Sequence, residues 1–416
     1  MILPELRALS AQQRNAVLAA FLGWTLDAFD FFLFVFIIPE IAAEFLPKAP
    51  DGATQVGLAV NLTLVMRPVG ALLFGLLADR FGRRPTLTID ILCYSVLAFL
   101  SGFSPNLTTL LVLRALFGVA MGGEWGVGAS LALETIPEKS RGFVSGLLQA
   151  GYPTGYLLAS LATALVAKQI GWRGLLFLGL IPAFLVLFLR QRVDESPAWK
   201  EEQPTMIGAW KAILRHWPLF LFAIAMMTCF NFFSHGTQDV YPLFLKEQHH
   251  LDLATRGMIG IVFNIGAIIG GVVFGTWSER IGRRRAIVIA ALLALPVIPF
   301  WAFAQGPVLL AAGAFMMQFC VQAAWGVVPA HLNELSPAQV RGTFPGFAYQ
   351  LGNLLASWNY TIEAGLGDHF NKNYGLAIAI VTAVVAICVA LIAGFGPEAK
   401  GVRFVRGSEA RPAGVT

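Results

Sequence analysis

The sequence predicts an all-helical membrane protein with twelve spans arranged as two related six-helix halves. Three features lead to this prediction: few charged residues, regularly spaced apolar runs, and an internal repeat. Of the 416 residues, 57% are hydrophobic and 13% are charged, whereas a soluble globular protein carries about 25% charged residues. Most of the chain is therefore expected to face lipid or other spans rather than water.

The apolar runs are each long enough for a helix to cross a hydrocarbon core about 30 Å thick. We place the spans near residues 17–38, 54–78, 86–103, 108–133, 142–166, 172–190, 217–245, 256–277, 286–304, 308–332, 342–366 and 374–396. The predicted domains are an N-terminal six-helix bundle (1–190), a polar linker (191–216), a C-terminal six-helix bundle (217–397) and a tail (398–416). The polar start of the chain lacks a cleavable leader pattern, so we expect the first helix to stay in the membrane.

The basic residues indicate the orientation, because Lys and Arg collect in loops on the cytoplasmic side. Alternate loops carry most of them, and the loops between are poor in Lys and Arg. We therefore expect both termini to be cytoplasmic and the protein to lie in the inner, or plasma, membrane. Topology accounts for the net charge of +5, and nucleic acid is not an expected partner.

Two segments of the first half recur 200 positions later in the second half. GLLADRFGRR at 75–84 is matched by GTWSERIGRR at 275–284, and ETIPEKSRG at 134–142 is matched by ELSPAQVRG at 334–342. Two separate matches at one offset indicate a duplication. With six spans per copy, both halves start on the same side of the membrane, as in transporters that hold their site between parallel repeats.

The first repeated segment resembles the signature loop of the major facilitator superfamily. Its glycine permits close helix packing, and its acidic and basic residues can form charge pairs across the cytoplasmic surface. Breaking and remaking such pairs would favour one conformational state over the other; the alternative is that these charges only fix the topology. The residues assigned to this gate are Gly75, Asp79, Arg80, Arg83, Glu279, Arg280 and Arg283.

Charged residues inside the first half also need a partner or a function, because a charge at the bilayer centre costs about 2.5–3.5 kcal/mol. Asp27 and Asp30 share one face of the first helix. Arg114 requires an acidic neighbour, which Asp27, Asp30 or Glu124 would supply, either as a structural ion pair or for proton coupling. Arg67 has no acidic residue one turn away, so its predicted partner is an anionic ligand.

The seventh span carries a polar stripe, because Asn231, Ser234, His235, Gln238 and Asp239 fall on one helical face. This stripe is expected to face the interior rather than lipid. His235 lies one turn before Asp239, and a nearby carboxylate favours the charged imidazole. The pair is therefore a predicted proton site, with an ordinary buried core histidine as the alternative.

Two other spans carry weaker polar faces. Gln350 and Asn353 are three residues apart in the eleventh span, and Ser357 and Tyr360 are expected to extend the same face. Interhelical hydrogen bonds within the bundle are the alternative role for this pair. Tyr152 belongs to a polar stripe in the fifth span that is expected to shape the pocket.

The stripe in span seven resembles the N-x-x-S/T-H-x-S-Q-D signature of the sialate:proton symporter family, which includes lactate and sialate permeases. The chain departs only at Thr237, where the family usually has Ser. The resemblance implies that Asn231, His235, Gln238 and Asp239 handle substrate and protons. It also implies that an arginine at position 67 binds a carboxylate and that the Gln–Asn pair of span eleven contacts the substrate.

The predicted function is proton-coupled symport of a small organic anion, lactate or a similar monocarboxylate, by alternating access. Sialate, a sugar or a dicarboxylate are the alternative substrates, and a non-transporting carboxylate sensor is an alternative of another class. The sequence has no phosphate-binding loop, metal-ligand cluster or activated nucleophile, so we expect neither a cofactor nor an enzymatic reaction. The expected partners are the carboxylate, protons and lipid, and the expected state is a monomer.

Overall fold

A computed structural model describes residues 2–405, with side chains from residue 5 onward. The described chain is helical throughout and contains no β-strand. Spans 1 to 4 are single helices: Ala11–Phe36, Gly52–Phe81, Arg83–Ser101 and Leu107–Thr135. Spans 5 and 6 comprise Arg141–Gln149, Gly151–Phe177, the 3₁₀ turn Leu178–Leu180 and Ala183–Arg192.

The second half repeats this order with more interruptions. Span 7 is Trp217–Gln238 and continues as Tyr241–Glu247; span 8 is Leu253–Ile281 and span 9 is Arg283–Ala302. Span 10 comprises Pro307–Trp325 and Val328–Leu335, span 11 comprises Phe344–Ala356 and Asn359–His369, and span 12 is Tyr374–Phe395. The remaining helices, outside the spans, are Ile2–Ala8, Ile38–Phe45, Pro197–Glu202, Met206–Arg215 and the 3₁₀ turns Glu138–Ser140 and Ala338–Val340.

Ten helical segments within residues 2–405 are long and apolar enough to cross a membrane by themselves. Two local breaks explain the difference from twelve. The segment Glu138–Arg192 contains both span 5 and span 6, which meet at Gly171, where φ is +66°. Span 11 is interrupted between Ala356 and Asn359, so neither piece reaches full length. The twelve-span architecture predicted from the sequence is confirmed.

A tight turn at a glycine joins spans 2 and 3, and an equivalent turn joins spans 8 and 9. Gly82 has φ +112° and Gly282 has φ +97°, a backbone region that glycine adopts without a steric penalty. A glutamate lies at each following helix start: the Arg83 N–H donates to Glu195 Oε1 at 3.0 Å, and the Arg284 N–H donates to Glu398 Oε2 at 3.1 Å. Both glutamates follow the sixth span of their half, so the duplication extends beyond the two segments that match in sequence.

These glutamates place a negative charge at the positive end of a helix dipole. Burial raises the pKa of Glu195, while the hydrogen bonds from the backbone N–H groups of Ser196, Arg83 and Arg84 act in the opposite direction. The linker thereby fastens to the start of span 3, close to the first signature loop.

The two halves meet along the middle of the molecule. Span 5 packs on span 8, and span 11 packs on spans 2 and 4. We call the end of the bundle that carries loops 79–84, 134–142, 279–284 and 334–342 the basic face. Among the residues described, the hydrogen bonds and ion pairs that join the halves lie in the part of the bundle nearer this face. The basic face is closed in this conformation.

Candidate functional site: a closed basic face and a central polar site

The signature loops form one buried charge cluster in each half. Arg83 pairs with Asp79 at 2.8 Å and with Glu134 at 3.1 Å. In the second half, Arg283 pairs with Glu279 at 2.7 Å and with Glu334 at 2.9 Å. The sequence singled out Glu134 and Glu334 only as parts of a repeat; the structure makes each the buried counter-ion of a signature arginine.

Both clusters also reach across to the other half. Asp79 accepts hydrogen bonds from the backbone N–H of Gly342 at 2.7 Å and from the backbone N–H and hydroxyl of Thr343 at 3.1 and 2.6 Å. Glu279 accepts the equivalent bond from the backbone N–H of Gly142. Each acidic side chain therefore binds the start of a helix in the opposite half, which is the favourable end for an anion.

Longer ion pairs complete the closure. Arg141 lies 3.7 Å from Glu334, and Arg341 lies 3.7 Å from Glu134, so each buried glutamate also faces an arginine of the other half. The four residues are buried. The two ion pairs are related by the offset of the repeat, so the two halves make nearly symmetric contacts with each other.

The other residues assigned to the gate differ in position. Gly75 lies directly against span 11: a Cβ on it would come 2.6 Å from the Cα of Thr343, so any larger residue would push the halves apart. Arg80 and Arg280 are exposed on the outer surface, and neither forms an ion pair within the described part of the chain. The structure thus brings five of the seven assigned residues into the contact region and leaves these two arginines outside it.

The start of the tail packs beneath the same contact. The Phe404 ring is buried. Its centroid lies 3.5 Å from the guanidinium carbon of Arg141 and 4.1 Å from that of Arg341. Arg141 also donates to the backbone carbonyl of Val402 at 2.6 Å, and Arg403 lies 3.8 Å from Glu138. One aromatic ring therefore holds an arginine from each half.

Above the basic face, a layer of aromatic rings separates the charge clusters from the middle of the bundle. Tyr349 of span 11 lies 6.4 Å from Trp24, 4.8 Å from Trp125 and 5.6 Å from Trp325, measured between ring centroids. Tyr152 stacks on Trp24 at 5.3 Å. Rings from both halves thus meet in one layer, and Tyr152 lies at its edge as a wall residue.

Arg67 lies in the middle of span 2 with 2% of its surface exposed. Contrary to the sequence-based expectation that it lacks a protein partner, its Nη2 is 3.7 Å from Asp27 Oδ2. This contact is too long for a hydrogen bond, and the closest polar partner of Nη2 is the Met121 sulfur at 3.0 Å. Among the described residues, neither the Arg67 Nε nor either Asp27 oxygen has a hydrogen-bond partner. The pair is an ionic contact with unused hydrogen-bonding capacity on both sides.

The remaining charged residues of the first half are also buried. Arg114 lies between the rings of Phe34 and Phe117, with its guanidinium carbon 4.5 Å from each centroid. Asp30 is the carboxylate that acts on Arg114 electrostatically, without forming an ion pair within 4.0 Å. Glu124 is fully buried, and neither of its oxygens has a hydrogen-bond partner. Of the three acids considered for Arg114, the structure therefore places Asp30 in that role.

His235 is held on both sides in the second half. Its Nδ1 lies 3.1 Å from both Asp239 oxygens, and its Nε2 lies 2.9 Å from Asn353 Oδ1. Both ring nitrogens therefore lie within hydrogen-bond distance of acceptor oxygens, an arrangement that the doubly protonated ring can satisfy on both sides. The side chains of His235 and Asp239 are 28% and 29% exposed. The Arg67 guanidinium acts on His235 electrostatically from the opposite half.

The amide residues line the same region. Asn231 Nδ2 donates to the Met227 carbonyl at 2.7 Å, and Gln238 Nε2 donates to Ser234 Oγ at 2.8 Å. Gln350 is buried, and neither its oxygen nor its nitrogen has a partner. The amide nitrogen and oxygen of Gln350 are therefore both left without a partner among the described residues.

Two acidic residues were missed by the sequence analysis. Asp90 in span 3 is fully buried without a hydrogen-bond partner, and Asp27 acts on it electrostatically. Glu363 in span 11 is also fully buried, and Asp239 acts on it. Each stands inside an apolar run, and this signal in the sequence would have identified both.

The break in span 11 explains why Glu363 did not join the predicted face. A continuous helix would place Ser357 and Tyr360 on the face of Gln350 and Asn353, but the structure leaves both of them exposed. That expectation is wrong because residues 357–358 interrupt the helix. After the interruption the buried face continues through Asn359 and Glu363 instead.

Two matches to the model of the Major Facilitator Superfamily cover residues 20–358 and 240–412, and the chain belongs to this superfamily. It is therefore a multi-pass membrane transporter and not an enzyme. It is 28% identical to the carboxylic acid transporter protein homolog of Saccharomyces cerevisiae, over 94% of this chain and 67% of that protein. It is also 28% identical to the sialic acid transporter NanX of Escherichia coli, over 94% of this chain and 95% of that protein.

The fold is similar to that of the proton:xylose symporter XylE in its complex with 6-bromo-6-deoxy-D-glucose. The TM-score is 0.75 at 19% identity, over 94% of this chain and 97% of the other. The matches to the superfamily model confirm the resemblance seen in the signature loop. Similarity to carboxylic acid and sialic acid transporters agrees with the permease family suggested by span 7.

Proposed function

We propose that the protein is a proton-coupled symporter of a small organic anion, lactate or a similar monocarboxylate. The observation that supports this best is the loose, buried pair of Arg67 and Asp27. A planar guanidinium with an unused Nε and a long ionic contact is suited to accept a carboxylate through two hydrogen bonds. The relatives named for carboxylic acid and sialic acid transport favour a substrate with a carboxylate.

Coupling follows from the charge balance of this pair. When the substrate carboxylate pairs with Arg67, Asp27 is left as a buried carboxylate without a counter-ion. This state is strongly unfavourable unless Asp27 gains a proton. The anion and a proton are then favoured in the same state. Asp30 with Arg114, and Glu124, lie in the same half and extend this proton-binding region.

The opposite wall supplies the other contacts. Asn231, Gln238, Gln350 and Asn353 would hydrogen-bond the remainder of the substrate, and the imidazolium of His235 would add a second positive charge facing the anion. The Asp239 carboxylate would favour the charged form of His235. Release of that proton to the lower-proton side would weaken anion binding there, which is what a symporter requires.

Alternating access would use the basic face as one gate. Because Lys and Arg favour cytoplasmic loops, we assign this face to the cytoplasm and the present conformation to the state closed toward it. The charge clusters of Asp79 and Glu279 would have to release the opposite half to open it. Both termini and the linker lie on this side in the proposal.

The decisive experiment is uptake into proteoliposomes under an imposed pH gradient, with lactate, pyruvate, sialate and xylose as substrates. We expect accumulation of a monocarboxylate above its equilibrium level, abolished by a protonophore. Preference for sialate would favour the larger-acid alternative, and equal uptake without a gradient would exclude proton coupling.

Asp239→Asn separates binding from coupling. It removes the charge that keeps His235 protonated, so uphill accumulation should be lost, while counterflow of labelled substrate should persist because Arg67 still binds the anion. Asp368→Asn, an exposed residue paired with Lys372, is the control and should retain both activities. If Asp239→Asn still accumulates substrate uphill, coupling belongs to Asp27, Asp30 or Glu124.

A further inference from the structure

A second buried acid lies behind the polar stripe of span 7. Glu363 is fully buried, and its Oε2 accepts a hydrogen bond from Asn359 Nδ2 at 3.2 Å. Within the part of the chain that the structure describes, neither its Oε1 nor the Asn359 Oδ1 has a hydrogen-bond partner. Both of these oxygens face span 7 at Gly236: a Cβ there would lie 3.4 Å from Glu363 Oε1 and 3.6 Å from Asn359 Oδ1.

The buried groups around Gly236 include more hydrogen-bond acceptors than donors. Two acceptor oxygens point at one small space, and the nearby Thr382 hydroxyl donates to the Gly236 carbonyl at 3.2 Å instead. An ionised Glu363 would leave Glu363 Oε1 and Asn359 Oδ1 buried without a donor, which is unfavourable for both oxygens. A hydrogen on Oε1 supplies the missing donor, with Asn359 Oδ1 as an acceptor that faces the same space.

The charges around this site lead to the same result. On span 7, Asp239 is the charged group that acts on Glu363, and its counter-ion His235 is directed to Asp239 and Asn353. Span 12 contributes Val381 and Thr382 at Gly236, and its titratable Tyr374 packs farther along, at Gly367. Two ionised carboxylates beside one imidazolium would carry an excess negative charge in a buried place, and one added proton removes it.

We propose that Glu363 is a proton-carrying residue, and that His235, Asp239 and Glu363 form one proton site with two protons in this conformation. One proton is on the imidazole and one is on Glu363 Oε1, so the three groups are neutral in sum. When the site delivers a proton, the Glu363 O–H bond breaks, the proton passes by way of the partly exposed Asp239 carboxylate to solvent, and Glu363 keeps the negative charge. Gly236 leaves the space in front of Glu363 Oε1 free of a side chain.

The first test is independent of transport, and this part of the inference does not rest on the proposed function. Difference infrared spectra of wild type and Glu363→Gln at neutral pH should show the loss of a protonated-carboxyl band in the variant. Asp368→Asn, on the same helix but exposed, should show no such loss. If wild type and Glu363→Gln have the same protonated-carboxyl intensity, Glu363 is ionised and the inference is wrong.

The second test uses transport and rests on the proposed function. Glu363→Gln keeps the size and a donor but cannot titrate, so uphill uptake should fall at least about tenfold while counterflow stays within about twofold of wild type. Glu363→Asp should restore uphill uptake with a shifted pH profile, which a merely structural role would not produce. Uphill uptake by Glu363→Gln at the wild-type level, in a preparation whose wild type accumulates substrate, would overturn the inference. A wild type that does not accumulate substrate would instead contradict the proposed function.

Should Glu363→Gln fail to fold, Glu363→Asp alone decides the matter. The shorter acid should displace the midpoint of the pH profile for uphill uptake, because its carboxyl group would sit one methylene farther from the space at Gly236. An unchanged pH profile in folded Glu363→Asp would count against the proposal.

Discussion

Neutralising Asp79 should open the basic face. Asp79 accepts three hydrogen bonds from the opposite half, from the backbone N–H of Gly342 and from the N–H and hydroxyl of Thr343. Hydrogen bonds to a charged acceptor contribute about 1.5–3 kcal/mol each, against about 0.5–1.5 kcal/mol for neutral ones. In Asp79→Asn the amide nitrogen cannot accept, and the remaining bonds lose their charge assistance.

The closed state should therefore lose about 2–4 kcal/mol relative to the open state. This corresponds to a change of about 30- to 700-fold in the closed-to-open ratio. The ion pair between Asp79 and Arg83 lies within one half, so its loss in the variant affects both states alike. The reporter is Val272→Cys, a buried position where span 8 packs on span 5, in a background with the four native cysteines replaced by serine.

Labelling by an impermeant maleimide should accelerate at least about tenfold in Asp79→Asn, in vesicles that expose the basic face and not in vesicles of the other orientation. Asp51→Asn, exposed at the opposite face, should leave the rate unchanged. Equal labelling rates in wild type and a folded Asp79→Asn variant would refute the idea that these bonds hold the face closed.

Three further outcomes follow from the structure. Arg67→Lys should weaken binding of a monocarboxylate at least about tenfold, because an ammonium lacks the planar fork; retained affinity, or an equal loss in Arg173→Lys at the exposed pair with Glu44, would contradict this. Phe404→Ala should raise Val272→Cys labelling about 5- to 30-fold through loss of two cation–π contacts at about 0.5–1 kcal/mol each, whereas Phe395→Ala, 87% exposed, should not. Gly82→Ala should lower the melting temperature more than Gly306→Ala. Both glycines have a backbone conformation that favours glycine, with φ of +112° and +83°. Only at Gly82 would the new methyl group meet the Glu195 carboxylate. Equal melting temperatures would show that the glutamate moves aside without cost.

The positions of buried charges show where sequence reasoning was incomplete. Arg67 has no acidic neighbour along its own helix, and only the packing of span 1 against it brings Asp27 within 3.7 Å. Likewise, Glu134 and Glu334 stand out in the sequence as a repeat, but their pairing with Arg83 and Arg283 depends on how each fourth span passes beside the signature loop. Helical periodicity describes neighbours on one helix and carries no information about which faces meet.

The sequence by itself determined the lipid environment, the helical class, the twelve spans and the duplication, because each depends on local hydrophobicity or on a match at a fixed offset. It also identified the stripe of His235 and Asp239, since residues four apart share a helix face whatever the fold. Only the tertiary structure decided that the basic face is closed, that Phe404 lies between arginines of both halves, and that Glu363 replaces Tyr360 on the buried side of a broken helix. These features arise from contacts between segments far apart in the chain and from one local break, and neither has a signature in the pattern of apolar residues.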